Sequence, residues 1–290
     1  VNKHHIKIVE ERKYKFKLTK LELLIEDLPV DLENYHMVQF SDPHYGVYTS
    51  PAVIDAALKI ISELDPNVLL LTGDYVHVGR ENLRILLYKT LGPKLSKYAH
   101  QRRLARFAAQ EFGEKLETLN PPDGIFGVWG NHDYLEGKRA LLKYLPKKIQ
   151  WLENDARQIQ IGKEHILIGG LDDYRFGKPD INKLIDKVNT LNESSEVRIL
   201  LSHNPDTVLL PDSTKLEYFN LMLSGHTHGG QICLPGSIPL ITETKQKNHL
   251  SGLGKFGSLS VYTSNGVGCS GLPLRLFCLP EIVSIKLGRV

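Results

Sequence analysis

The stretch LMLSGHTHGG (residues 221–230) sets a short apolar run directly before a cluster of histidines and glycines. Three large apolar side chains, Leu221 to Leu223, suit a strand buried on both faces. The residues after it are chemically specific. His226 and His228 stand two apart, and Gly225, Gly229 and Gly230 let backbone approach them closely. The same grammar recurs four times upstream. MVQF (37–40) precedes Ser41-Asp42-Pro43-His44, and VLLL (68–71) precedes Thr72-Gly73-Asp74. IFGVW (125–129) precedes Gly130-Asn131-His132-Asp133, and RILL (198–201) precedes Ser202-His203.

Helical patterns lie between these runs. Ser50 can cap a helix with Pro51 at its first position, followed by a stripe of Val53, Ala57, Ile60 and Leu64. Ala105, Ala108, Phe112, Leu116 and Leu119 repeat that spacing. Residues 14–24 alternate as an edge strand would, and HILIGG (165–170), LSVYT (259–263) and EIVSIKL (281–287) are further strands. Strands alternating with helices define an α/β chain, read as one domain over 1–290: a sandwich of two sheets flanked by helices.

With 290 residues, 41% of them hydrophobic, the chain can build a full core, which excludes a disordered or disulfide-stapled class. Cys233, Cys269 and Cys278 form no CxxC pair and read as free thiols of a reducing compartment. The net charge of +3 is uneven. Residues 1–20 carry seven Lys/Arg against two acids, and 88–106 carry six against none, so the rest is acidic. Two basic segments on an acidic body suit an anionic surface or substrate. No aromatic interleaving or known module points to nucleic acid.

Ligands of open α/β sheets gather beyond the carboxyl ends of strands. In both Asp42-Pro43-His44 and His226-Thr227-His228, alternate side chains of an extended segment would point the same way. Pro43 is expected to hold Asp42 in β or polyproline geometry. Without His132, the strand ends supply Asp42, Asp74, Asn131, His44, His203, His226 and His228. Seven donors exceed the three or four of a single tetrahedral zinc. Two metals sharing one carboxylate would use them all, and a mixed N/O set without thiolate suits Mn, Fe or Zn.

The ordered set Asp42-Pro43-His44, Gly73-Asp74, Gly130-Asn131-His132-Asp133, His203 and Gly225-His226-Thr227-His228 resembles the calcineurin-like metallophosphoesterases. That resemblance implies a four-layer α/β/β/α sandwich of two mixed sheets and a dinuclear centre. Asp42, His44 and His228 would hold the first ion, and Asn131, His203 and His226 the second, with Asp74 bridging. His132 would contact the phosphoryl group or leaving oxygen, and Asp133 would orient it. Manganese is the first choice of metal, and hydrolysis would proceed by metal-activated hydroxide.

HGGQICLPG (228–236) and GVGCSGLPLR (266–275) resemble a bacterial membrane-associated subgroup that includes UDP-2,3-diacylglucosamine pyrophosphatases of the chlamydial type. The implied reaction yields UMP and 2,3-diacylglucosamine 1-phosphate, a step of lipid A synthesis, at the cytoplasmic face of the inner membrane. Subgroup members often carry an upstream membrane helix, which makes residues 1–13 a basic juxtamembrane segment. Residues 86–106, apolar and basic, are expected to form a helical lid over acyl chains. Arg102, Arg103, Arg106, Arg175 and Arg275 are candidate phosphate or headgroup contacts. The alternatives are a broad phosphodiesterase or phosphomonoesterase for soluble nucleotides, and a non-catalytic scaffold binding membrane or nucleic acid.

Overall fold

β1 (Lys3–Glu11) and β2 (Tyr14–Ile25) pair antiparallel, Lys3 opposite Glu22 through Glu11 opposite Tyr14. The computed structural model describes residues 3–79, 99–191, 195–246 and 249–290. The basic segment at the start is therefore largely a strand, and β2 is interior where the sequence suggested an edge. The alternation is the physical cause. Phe16 and Leu18 enter one apolar layer and Leu21, Leu23 and Ile25 the other, so β2 is buried on both faces.

β3 (His36–Phe40) follows, then the two-residue β4 (Tyr45–Gly46) and helix α1 (Pro51–Leu64). Ser50 occupies the cap position of α1 without a capping hydrogen bond from its side chain. Ala57 and Ile60 of the expected stripe are buried, with Ile54, Leu58 and Ile61 widening it and Val53 and Leu64 at its margin. β5 (Val68–Leu71) and β6 (Val76–His77) precede α2 (Ala99–Leu116), whose Ala105, Ala108, Phe112 and Leu116 are buried as the spacing requires. The expected lid at 86–106 lies mostly outside the described residues.

β7 (Ile125–Gly127), α3 (Asn131–Glu136), α4 (Lys138–Leu141) and β8 (Ile149–Trp151) complete the first half. The second half begins with β9 (Asp155–Ile161), β10 (Glu164–Gly170), α5 (Ile181–Asn189), β11 (Val197–Leu201) and β12 (Leu221–Ser224). It ends with the short β13 (Cys233–Leu234) and β14 (Ile238–Pro239), then β15 (Gly252–Phe256), β16 (Leu259–Thr263) and β17 (Glu281–Arg289).

Two sheets result. One has the order β1-β2-β17-β3-β5-β7-β8, the other β15-β16-β12-β11-β10-β9. Parallel and antiparallel pairs occur in both. Met37, Leu70 and Ile285 from the first sheet meet Ile168, Ile199 and Leu223 from the second. Val38, Phe40 and Leu71 turn the opposite way, onto α1 and α2. Leu167, Leu200 and Met222 pack on Ile181, Leu184 and Val188 of α5. The architecture is the expected α/β/β/α sandwich. Each fully buried Leu, Ile, Val or Phe stabilises it by about 1.5–3 kcal/mol.

β3, β5 and β7 run parallel in one sheet and β11 and β12 in the other, so their carboxyl ends gather at shared edges. Gln39 links the two sheets there, donating to Thr72 Oγ1 at 3.0 Å and to the Ser224 carbonyl at 2.9 Å.

Candidate metal centre and active site

All seven expected donors converge beyond those strand ends, and all are buried. Asp74 Oδ2 lies 3.4 Å from His44 Nε2 and 3.3 Å from His203 Nε2. Asp42 Oδ1 lies 3.9 Å from His44 Nε2 and 3.7 Å from His228 Nε2. Asp42, His44 and His228 form one cluster of donor atoms and Asp74, His203 and His226 another. Asn131 Oδ1 joins the second at 3.1 Å from His203 Nε2.

The route to convergence differs from the extended segments expected. Asp42 (φ 50°), His44 (φ 43°), Asp74 (φ 58°), His226 (φ 71°) and His228 (φ 52°) all occupy the left-handed region. Pro43 does not hold Asp42 extended. Non-glycine residues are uncommon there and accumulate at functional sites, where surrounding contacts maintain the strain. Those contacts are visible. The Asp42 N–H donates to the Gly73 carbonyl and the His44 N–H to the Asp74 carbonyl, stitching the two turns together. Two glycines are obligatory. A Cβ on Gly130 would land on Asp74 Oδ1, and one on Gly225 would land on Asp42 Oδ2 and Ser41 Oγ.

The residues fit divalent ions. His203 Nδ1–H donates to the Thr72 carbonyl at 2.7 Å, which aims Nε2 at Asp74 Oδ2 and Asn131 Oδ1. A ring nitrogen facing two oxygen acceptors must carry a proton or meet a metal ion between them. His44 Nε2 and His228 Nε2 approach to 2.9 Å beside the Asp42 carboxylate, a second such nest. Burial foremost keeps His44, His226 and His228 well below the usual imidazole range, the neutral form a metal needs. Burial also pushes Asp42 up to about 6. His203 differs. Burial opposes its charge, but Asp74, with Asp42 and Asp173 behind it, raises it to about 10.

An ion taking His203 Nε2 must displace that proton. Metal affinity therefore rises with pH below about 10, and uptake near pH 8 should release about one proton from His203. Calorimetry in two buffers of unlike ionisation enthalpy reads this; uptake without proton release would contradict it.

His132 lines the cavity above the donors, and its backbone N–H donates to Asp74 Oδ1 at 2.8 Å. Its ring stands 4.7 Å from that of His44 and 4.1 Å from that of His77. His77, on β6, has no place among the sequence motifs. Only the parallel pairing of β4 with β6 brings it beside the Asp42-Pro43-His44 turn. Asp133, expected to orient His132, holds the backbone of the turn that carries it. Its carboxylate accepts the N–H groups of Asp74 (2.9 Å), Tyr75 (2.9 Å) and Gly130 (2.8 Å).

The arginines separate. Arg103 and Arg106 are exposed on α2 and do not line the cavity, and the side chain of Arg102 lies outside the described residues. Arg175 binds Glu243 at 2.9 Å, a residue the sequence motifs did not include and which lines the cavity. Arg275, expected at substrate, donates to the carbonyls of Asn265 (2.7 Å) and Gly266 (3.1 Å) and stands 3.1 Å from His228 Nδ1. It braces a metal-site turn.

The cavity measures about 480 Å³ and runs from Asp74, Asn131, His132, His226 and His228 to an apolar wall of Ile232, Leu240, Ile241 and Leu272. Gln231 fastens that wall. Its Nε2 donates to the carbonyls of Ser270 (3.0 Å) and Leu272 (3.1 Å), and its Oε1 accepts the Ser270 N–H.

Comparison with known proteins agrees with this geometry. The calcineurin-like phosphoesterase family model matches residues 35–230, which contain every donor. The metallophosphoesterase YkuE of Bacillus subtilis, itself uncharacterized, is 29% identical over 263 residues, covering 90% of this chain and 81% of its own. The phosphodiesterase YaeI of Escherichia coli is 29% identical over 257 residues, covering 87% and 82%. One crystal structure, 13% identical and covering 80% of this chain and 91% of its own, superposes with a TM-score of 0.51 and shares the fold. The chain belongs to the calcineurin-like phosphoesterase family and is a metal-dependent hydrolase of phosphoesters.

Proposed function

We propose that the substrate is a nucleotide-linked lipid, UDP-2,3-diacylglucosamine, cleaved at its pyrophosphate to UMP and 2,3-diacylglucosamine 1-phosphate. The observation that carries this reading is the continuity of the cavity from the metal donors to the apolar wall. Leu234, Ile238, Leu240 and Ile241 on one loop, with Leu272, Leu274, Leu276 and Phe277 on the other, are all large, apolar and exposed. A large exposed apolar patch marks a binding surface, and a lipid that carries both acyl chains and phosphate matches this patch and the polar centre beside it. The basic β1 hairpin suits an anionic membrane where such a lipid resides. Among the described residues no helix is long and apolar enough to cross a membrane.

Asp42, His44 and His228 would hold one divalent ion, and Asn131, His203 and His226 the other, with Asp74 between. Manganese is the proposed metal. Bound there, the ions supply Lewis acidity toward phosphoryl oxygens and acidify water. The chain itself excludes bulk water through the apolar wall and offers His132 to the leaving oxygen. Gly130 and Asp133 hold the turn that carries His132.

The test is hydrolysis of UDP-2,3-diacylglucosamine by manganese-loaded protein in ¹⁸O-water, read by mass spectrometry. UMP and labelled product are expected, and no release would reject the lipid reading. YaeI is named a phosphodiesterase, which favours a second reading, soluble phosphodiesters. Leu240→Asp with Ile241→Asp separates the two. Each side chain offers about 1.5–3 kcal/mol on burial, so kcat/KM for the lipid should fall about 10–100-fold per site. Turnover of a soluble aryl diester should stay unchanged; equal losses on both would favour the second reading.

A further inference from the structure

His226 is placed through its backbone, whose N–H donates to both oxygens of Asp42 at 3.0 and 3.1 Å. Its ring has a loose end. Nε2 is buried and makes no hydrogen bond, while Glu243 Oε2 stands 4.0 Å away. A buried N–H left without an acceptor is costly, so that carboxylate has a natural partner.

Glu243 is held in place from both ends. The turn after it is pinned by the buried Asp206 carboxylate, which accepts Thr244 Oγ1 (2.6 Å) and the N–H groups of Lys245 (3.0 Å) and Gln246 (3.1 Å). Arg175 Nη1 donates to Glu243 Oε2 at 2.9 Å. The Arg175 turn is pinned in the same way, since the buried Asp173 Oδ2 accepts the N–H groups of Arg175 (2.9 Å) and Phe176 (2.7 Å). Two distant loops, each tied to a buried carboxylate, thus meet beside one imidazole.

We propose that Glu243 is the positioning carboxylate of His226. It accepts the Nε2–H, leaves Nδ1 for the second metal position, and is itself held by Arg175. About 1 Å of side-chain movement turns the 4.0 Å separation into a hydrogen bond; Glu243 is about half exposed and free to make it. A carboxylate on the outer nitrogen fixes the tautomer and raises the basicity of the inner one. The inference rests on reading Asp74, Asn131, His203 and His226 as a metal site.

The experiment is titration of metal-free protein with Co²⁺, read by calorimetry and by the visible cobalt spectrum. Wild type should take two ions. Glu243→Leu should weaken one of them about 10–100-fold and shift its spectrum, leaving the other unchanged. Glu243→Gln, which keeps an acceptor, should recover part of that loss. Arg175→Met should weaken the same ion, and Arg175→Lys should not. Wild-type affinity and spectrum in Glu243→Leu would overturn the positioning role while leaving the centre intact. Failure of wild type to bind a second ion would overturn the metal reading beneath it.

Discussion

Asp74→Ala should lose both ions and lower turnover of every phosphoester substrate about a thousandfold or more. Asp74 is the carboxylate that faces both donor clusters, within 3.4 Å of His44 and 3.3 Å of His203. It stays charged although burial opposes this, because His203 and then His132 stabilise the carboxylate. Metal ions contribute several kcal/mol of transition-state stabilisation, and about 4 kcal/mol corresponds to about 10³ in rate. Metal analysis and steady-state kinetics would be measured together. Asp74→Asn keeps the shape of the side chain and its contact with the His132 N–H, so it separates lost charge from lost packing. Two bound ions and intact turnover in either variant would refute the assignment.

His132→Ala should retain both ions and lose about 10²–10⁴-fold in turnover, the usual contribution of a positioned proton donor. His132 lies in the cavity, while the seven donors account for both metal positions without it. The opposing possibility is geometrically real, because His44, His77 and His132 could together hold an ion. Metal content decides. An ion lost with His132 would make that residue a ligand, and the loss of rate would then reflect an empty site.

The donors were legible because each follows a buried strand of obvious character and a small residue, a local pattern readable without tertiary information. Gly130 and Gly225 carry meaning only because carboxylates occupy the space a side chain would fill. The left-handed turns at Asp42 and His226 could not be read, since backbone strain is maintained by long-range hydrogen bonds. His77 and Glu243 had no signal of their own. One reaches the centre through pairing of two-residue strands, the other through a loop pinned by Asp206. Arg275 read as a substrate contact within GLPLR because its acceptors are carbonyls at Asn265 and Gly266, visible only once that loop closes. β2 looked like an edge because its neighbour β17 is so distant in sequence.

That last neighbour bears on how the protein is made. β17 lies between β2 and β3, so during translation the first sheet lacks an inner strand until residues 281–289 leave the ribosome. The segment just before it is also late, and its Val267 and Gly268 N–H groups donate to the carbonyls of Ser41 and Asp42. A nascent chain ending near residue 230 would carry every metal donor without the strand and loop that hold the first ligand turn. Domains generally fold as units during synthesis at about 5–20 residues per second. Stable metal capture is therefore expected only once residues 267–289 have been added to the chain.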